Sequence, residues 1–122
     1  KTMSKKFDGE IAVVEAHHKH KTDFPSGTAK QIISAMLDED NNKTSTSSCQ
    51  NFEEDVINSY SIRGGTLFGR HEVHFFAEDE EIVLTHSSYS RKPYINGLMR
   101  AVDYLIKENG AGLHSFEDVI FQ

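Results

Sequence analysis

The chain has 122 residues, of which 26% are charged and 37% hydrophobic, a composition typical of one soluble globular domain. Its net charge of −6 argues against an extended nucleic-acid surface, and no apolar run approaches the roughly 20 residues that a membrane-spanning helix needs. A single cysteine, Cys49, excludes an internal disulfide and indicates a reducing cytoplasm, which is the location we expect.

The first half of the chain predicts a strand followed by a helix. Residues 1–8 are basic and amphiphilic, and we interpret them as the end of a helix or as a linker. Residues 10–16, EIAVVEA, are short, apolar and rich in β-branched side chains, which predicts a strand buried on both faces. Residues 29–37 repeat apolar side chains at helical spacing, and Ser26 or Thr28 can cap this helix.

The middle of the chain predicts a loop and then three strands. Residues 38–51 contain acidic, amide and Ser/Thr side chains without periodicity, which indicates a solvated loop. Apolar and polar side chains then roughly alternate in three segments, so we predict strands at residues 56–63, 70–77 and 81–88.

A second amphipathic helix is predicted in the last third of the chain. Ser90 is its candidate cap, Pro93 lies in its first turn, and Gly110 ends it. The elements together predict an α+β fold: an open mixed sheet of about four strands with two helices on one face. The other face would be used for oligomerisation.

The unusual chemistry is concentrated between the first strand and the first helix. Unpaired N–H groups and the helix dipole make the helix N-terminus a site for a carboxylate or phosphate. Histidine exchanges protons near neutral pH, and a lysine crowded by cations can become an acid. The pattern predicts a small-anion site with general acids beside it, although any one of these histidines taken singly would favour a surface residue in a polar loop. The clustered residues are His17, His18, Lys19, His20 and Lys21.

Other candidate sites are weaker. His17 and His18 would point to opposite faces of a continuing strand, and no cysteine or carboxylate pair completes a ligand set, so we expect no metal site. The GGTLFG segment at 64–69 lies between predicted strands, which favours a tight bend over a nucleotide loop. Arg91 either clamps a carboxylate or is a surface charge. Histidines that we interpret as sheet-face residues are His71, His74 and His86.

The motif EAHHKHKTDFPSGTA resembles the signature of the dihydrodipicolinate reductase family. The segments IRGGTLFGRHEVHFF, EIVLTHSSYSR and NGLMRAVDYLI resemble the C-terminal domain of that family in the same order. The resemblance implies an oxidoreductase of lysine and diaminopimelate biosynthesis, which reduces a cyclic imine dicarboxylate with NADPH or NADH.

The resemblance also assigns roles by position. It implies that His17 is the acid/base residue, that Lys21 donates a proton, and that His18 binds substrate. Phe24 stands where the family usually has alanine. The residues that would hold a substrate carboxylate at the helix start are Ser26, Gly27 and Thr28.

Members of the family also carry an N-terminal dinucleotide-binding domain, and the sequence has no strand–GxGxxG–helix pattern. Residues 1–9 would then be a remnant of the linker from that domain, and residues 10–122 the C-terminal substrate-binding domain. We expect no cofactor-binding residues here, and we expect the isolated domain to be inactive. A non-catalytic module that binds a dicarboxylate, or only assembles oligomers, is the alternative.

The expected partners are a small dicarboxylate and further copies of the chain, with no nucleic acid or membrane. Two helices can cover only one face of the predicted sheet. The other face would carry aromatic and polar side chains from sets such as Phe75 with Val73, or Phe76 with His74. The resemblance implies that such sheets pack together in a tetramer.

Overall fold

The computed structural model describes residues 9–37, 45–47, 52–107 and 111–121. Expectations for residues 1–8, for Cys49, for the helix end at Gly110 and for most of the 38–51 loop lie outside these residues. No helix within these ranges is long and apolar enough to cross a membrane. The chain separates into two compact units, one ending at Tyr89 and the other beginning at Ser90.

The first unit is built on a five-stranded mixed sheet in the order β2-β3-β1-β4-β5. Strand β1 is parallel to β3 and antiparallel to β4. The four longer strands match the sequence predictions to within one residue at each end, and the α+β class is confirmed. The strands are β1 (Glu10–His17), β2 (Ser45–Ser47), β3 (Val56–Arg63), β4 (Gly69–Phe76) and β5 (Glu81–Ser88).

The short strand β2 departs from the prediction that residues 38–51 form a loop throughout. It pairs with β3 in parallel through backbone groups. Its sequence, STS, has no apolar alternation, so the pairing leaves no hydrophobic signal in the sequence.

The centre of the sheet is β1, which is paired on both edges and buried along nearly its whole length. Alternation along the strand places Ile11 and Val13 on one face, together with Glu15 and His17 further along. Ile11 and Val13 belong to the hydrophobic core, whereas Glu15 and His17 continue the same face beyond it. The buried strand predicted from residues 10–16 is confirmed.

Helix α1 (Gly27–Leu37) covers that face of the sheet. Its buried residues recur at helical spacing and pack against β1, β3 and β4. Ser26 precedes the helix, and its Oγ accepts a hydrogen bond from the Ala29 N–H at 3.3 Å, so Ser26 rather than Thr28 is the cap. The core residues are Ile11, Val13, Ala29, Ile33, Met36, Ile57 and Phe75.

The connection from β3 to β4 crosses the end of β1, because β1 lies between these two strands. The Gly64 N–H donates to the His17 carbonyl at 3.0 Å, and the Lys19 N–H donates to the Gly65 carbonyl at 3.3 Å. Gly65 has φ of 50°, in the left-handed region that favours glycine. The predicted glycine bend is therefore confirmed, and it fixes the backbone of the histidine motif.

The face of the sheet opposite α1 carries the strand side chains that alternate with those in the core. Phe75 is buried in the core under α1, so Phe76 with His74 is the set that lies on the opposite face. These two residues, together with Val14 and Tyr60, line a cavity of about 420 Å³ on that face.

The second unit contains helix α2 (Lys92–Lys107) and a short helix, α3 (Phe116–Ile120). The Lys92 N–H donates to the Ser90 Oγ at 3.2 Å, which agrees with a start signal at Ser90. The two main helices are those predicted, and the placement of α2 on the sheet stays a prediction. Helix α3 was not predicted, because five residues are too few for a periodic pattern.

Candidate functional site

The end of β1 brings an ionisable pair into the interior of the protein. His17 Nδ1 lies 2.5 Å from a carboxylate oxygen of Glu15, and the two residues are 8% and 1% exposed. On the other side of the ring, a Cβ at position 69 would lie 3.1 Å from His17 Nε2. Gly69 therefore leaves the space that the His17 ring occupies.

Arg63, the last residue of β3, binds Glu15 through both guanidinium Nη atoms. Arg63 Nη1 donates to Glu15 Oε2 at 2.8 Å, and Nη2 donates to Oε1 at 2.7 Å. Burial by itself would raise the pKa of Glu15, but hydrogen bonds from Arg63, Ser61 and His17 outweigh it and hold that pKa below its usual value. Glu15 is therefore a buried carboxylate that lies between a cation and a histidine.

The same arginine holds the loop that carries Lys21. Arg63 Nε donates to the Lys21 carbonyl at 3.1 Å, and Nη2 donates to the Asp23 carbonyl at 2.7 Å. The Lys21 ammonium lies 2.8 Å from an oxygen of the Asp23 carboxylate. The hydrogen bond from Lys21 lowers the pKa of Asp23. Arg63 thus fixes the backbone of the loop that carries this cationic side chain.

His71 connects this cluster to the start of helix α1. Its Nε2 lies 2.9 Å from the Ser26 Oγ, and both residues are buried. The His71 ring also meets the His17 ring edge-on, with centroids 5.1 Å apart. Burial lowers the pKa of His71, and the neighbouring His17 lowers it further, so His71 is neutral at pH 7.

The first residues of α1, Gly27 and Thr28, are exposed beside buried Ser26. Their N–H groups precede the first hydrogen bonds of the helix ladder, so they remain available to an anion. The positive end of the helix dipole adds to that preference. The helix start can therefore accept a carboxylate at the edge of the buried cluster.

The structure connects three of the predicted site residues and leaves three outside the buried contacts. His17 is linked to Ser26 through His71, and it is linked to the backbone carbonyl of Lys21 through Glu15 and Arg63. His18 is half-buried, and its ring lies 6.4 Å from that of His20. Gly27 and Thr28 lie at the exposed helix start. In the part of the chain that is described, no three His, Cys, Asp or Glu side chains are arranged to hold a metal.

Sequence reasoning missed Glu15, Arg63 and His71. A carboxylate in an otherwise apolar strand is a usable signal for Glu15, because a buried charge needs a partner. The partner is 48 residues away and depends on the parallel register of β1 and β3. His71 lies on a sheet face, as interpreted, but contacts the site because β4 runs beside β1.

We expect acid to destabilise this cluster in two pH ranges. The folded pKa of His71 is below its unfolded value of 6.5, so the unfolded chain binds more protons and stability falls as pH drops below 6.5. The folded pKa of Glu15 is below 4.5, so its contribution is present above 4.5 and is lost as pH falls through the folded pKa.

Urea denaturation between pH 8 and pH 5 measures the part of this dependence that belongs to His71. His71→Asn should flatten the decline in unfolding free energy between pH 7 and pH 5 relative to the parent. His18→Asn is the matched control, because it removes a ring that is outside the buried contacts. An unchanged decline in His71→Asn would contradict the assignment.

Comparison with known proteins identifies relatives. The chain matches the family model for the dihydrodipicolinate reductase C-terminus over residues 1–120. It is 35% identical over 115 residues to the 4-hydroxy-tetrahydrodipicolinate reductase of Brachyspira hyodysenteriae. The aligned region covers 91% of this chain and 49% of that protein. The reductase of Archaeoglobus fulgidus is 33% identical over 120 residues, covering 93% of this chain and 47% of that protein.

A solved structure has the same fold. The dipicolinate-bound dihydrodipicolinate reductase from Paenisporosarcina sp. TG-14 matches with a TM-score of 0.69 and 23% identity, over 84% of this chain and 41% of that chain. The chain thus spans about half the length of the relatives that it matches. The family model covers nearly every residue, and so the chain belongs to the dihydrodipicolinate reductase family, where it corresponds to the C-terminal domain.

Proposed function

We propose that this chain is the substrate-binding and proton-donating domain of a 4-hydroxy-tetrahydrodipicolinate reductase. That enzyme would reduce a cyclic imine dicarboxylate with NADPH or NADH. The observation that carries the proposal is the set of contacts that joins the Lys21 backbone to His17 through Arg63 and Glu15, and His17 to Ser26 through His71. The family resemblance implies an acid/base role for His17, proton donation by Lys21 and carboxylate binding by Ser26.

A dicarboxylate suits the charges and donors around the cluster. One carboxylate would accept hydrogen bonds from the N–H groups of Gly27 and Thr28 and from the Lys21 ammonium. Charge-assisted hydrogen bonds of this kind contribute about 1.5–3 kcal/mol each. The solved relative holds dipicolinate, a planar dicarboxylate, which supports a ligand of this class.

The proton chemistry would belong to His17 and Lys21. In neutral His17, Nδ1–H donates to the Glu15 carboxylate, which leaves Nε2 as the nitrogen that exchanges a proton. The Lys21 ammonium now pairs with Asp23, and an incoming carboxylate would compete for the same donor. Because both groups are already held in place, Nε2 of His17 could accept a proton and the Lys21 ammonium could supply one without first having to be ordered.

The residues that the structure describes do not fit a dinucleotide. The glycine-rich segment at 64–69 joins two strands instead of a strand and a helix, and its Gly64 N–H is already bonded to the His17 carbonyl. We infer that the nicotinamide is held by a part of the longer protein outside these 122 residues. The alternative is a non-catalytic dicarboxylate-binding or oligomerisation module, since the chain spans about half of its relatives.

Lys21→Ala should weaken the binding of dipicolinate by about tenfold or more, because one charge-assisted bond of about 1.5 kcal/mol is lost. Isothermal calorimetry on the purified chain measures the affinity. Lys19→Ala is the matched control, since Lys19 is an exposed cation two residues away. Equal affinity of the Lys21 variant and the parent, or no binding by the parent, would refute the proposed anion site.

The purified chain should not oxidise NADPH or NADH in the presence of substrate, because its glycine segment does not form a dinucleotide site. Absorbance at the nicotinamide band measures turnover. Adding a separately produced nucleotide-binding domain of a relative should restore some activity if the chain is the catalytic-acid domain. Turnover by the 122-residue chain alone would contradict the inference that another domain binds the cofactor. If the added domain restores no activity, that result would favour the non-catalytic module.

We also propose that the chain assembles as a tetramer through the sheet face opposite α1. Val83 and Ile82 are adjacent in β5, similarly exposed at 39% and 40%, and on opposite faces. Val83 pairs with His74 on the proposed interface, whereas Ile82 pairs with Phe75 on the α1 side. Burying an apolar side chain of this size is favourable by about 1.5–3 kcal/mol.

Val83→Lys should therefore lower the mass measured by light scattering, and Ile82→Lys should leave the assembly intact. The assembly should persist at micromolar concentration in the parent. A parent mass that stays near 13.8 kDa as concentration rises would rule out the sheet-mediated oligomer.

A further inference from the structure

We propose that Arg63 is a positioning residue that holds both proposed proton-handling groups, His17 through Glu15 and Lys21 through the backbone of its loop. The inference rests on the proposed function for the roles of His17 and Lys21. The contacts of Arg63 itself are independent of any role in catalysis.

The guanidinium of Arg63 uses all of its donors. An arginine side chain has five N–H groups in a rigid planar fork. Two go to the two oxygens of Glu15, and the remaining three go to carbonyl oxygens. Those carbonyls belong to Lys21, Asp23 and Ile62, at 3.1, 2.7 and 2.8 Å. Since all five donors are bonded, the guanidinium connects β1, β3 and the loop that carries Lys21, and it holds them in fixed positions.

The contact with Glu15 sets which nitrogen of His17 carries the proton. While Arg63 keeps Glu15 ionised, the carboxylate can only accept, and His17 must present Nδ1–H to it. If the guanidinium is removed, protonation of buried Glu15 becomes the favoured way to avoid an unpaired charge. The protonated carboxyl would donate to Nδ1, and the ring proton would move to Nε2. Arg63 thus leaves Nε2 of His17 unprotonated and able to accept a proton.

The contacts with the loop set where Lys21 lies. The two accepting carbonyls flank Thr22, so the backbone on both sides of that residue is fixed. Fixing the backbone limits the positions that the Lys21 ammonium can reach. A lysine at position 63 keeps a positive charge near Glu15 but has three donors on one flexible atom, so it cannot bond both Glu15 oxygens and both carbonyls.

The two contacts can be separated by two variants of the chain. Ring nitrogen–proton correlation NMR on the 15N-labelled chain reports the tautomer of His17, and calorimetry reports the affinity for dipicolinate. We expect Arg63→Gln to convert His17 from Nδ1–H to Nε2–H and to weaken dipicolinate binding at least tenfold. Arg63→Lys should restore the Nδ1–H form, because the charge remains, but should not restore the affinity. Arg100→Gln, at an exposed arginine of α2, is the control.

An Nδ1–H tautomer in Arg63→Gln together with parental affinity would overturn the proposal. If Arg63 had a purely structural role, both variants would be less stable, and the His17 tautomer and the dipicolinate affinity would change together in each. That result would also overturn the proposal. If Arg63→Gln does not fold, Arg63→Lys decides alone, since parental affinity in that variant would contradict the loop contact. If the parent does not bind dipicolinate, the proposed function fails, whereas the tautomer comparison still tests the Glu15 contact.

Discussion

The ionised carboxylate of Glu15, buried at the end of the central strand, is the constraint on which the rest of the site depends. A buried charge is tolerated only where partners replace the water that it has lost. Here Arg63 supplies two hydrogen bonds to the carboxylate, and His17 supplies another. Each partner is fixed in return by the same carboxylate, so the acid/base candidate and the loop behind it have one common anchor.

The sheet topology makes this anchor possible. The parallel pairing of β1 and β3 places His17 opposite Arg63, so the C-terminal ends of both strands lie side by side. The chain must then cross β1 to reach β4, and the crossing loop bonds the His17 carbonyl on its way. Strand β4 returns on the other side of β1, where His71 reaches Ser26. The order of the strands therefore surrounds the end of β1 with its partners.

Local signals predict the elements of this structure well, and they predict the site only in part. Apolar runs and alternation identify the four longer strands and α1, because each pattern lies within one segment. They miss β2 and α3, which are too short to show a period. His17, Lys21 and Ser26 are found from the sequence because they lie within one short stretch at the end of β1 and before α1. Arg63 and His71 are distant in sequence, and only the strand order brings them to the same place.

The distribution of charge distinguishes the buried part of the candidate site from the part that a ligand would meet. Inside, the carboxylate of Glu15 is balanced by Arg63, and the lowered pKa of His71 keeps that ring neutral. Near the surface, the Lys21 ammonium pairs with Asp23, which is about half exposed. A pair open to water contributes little to stability, so its charges can exchange partners at small cost. An incoming carboxylate would therefore be attracted to Lys21, while the buried groups beneath it keep their positions.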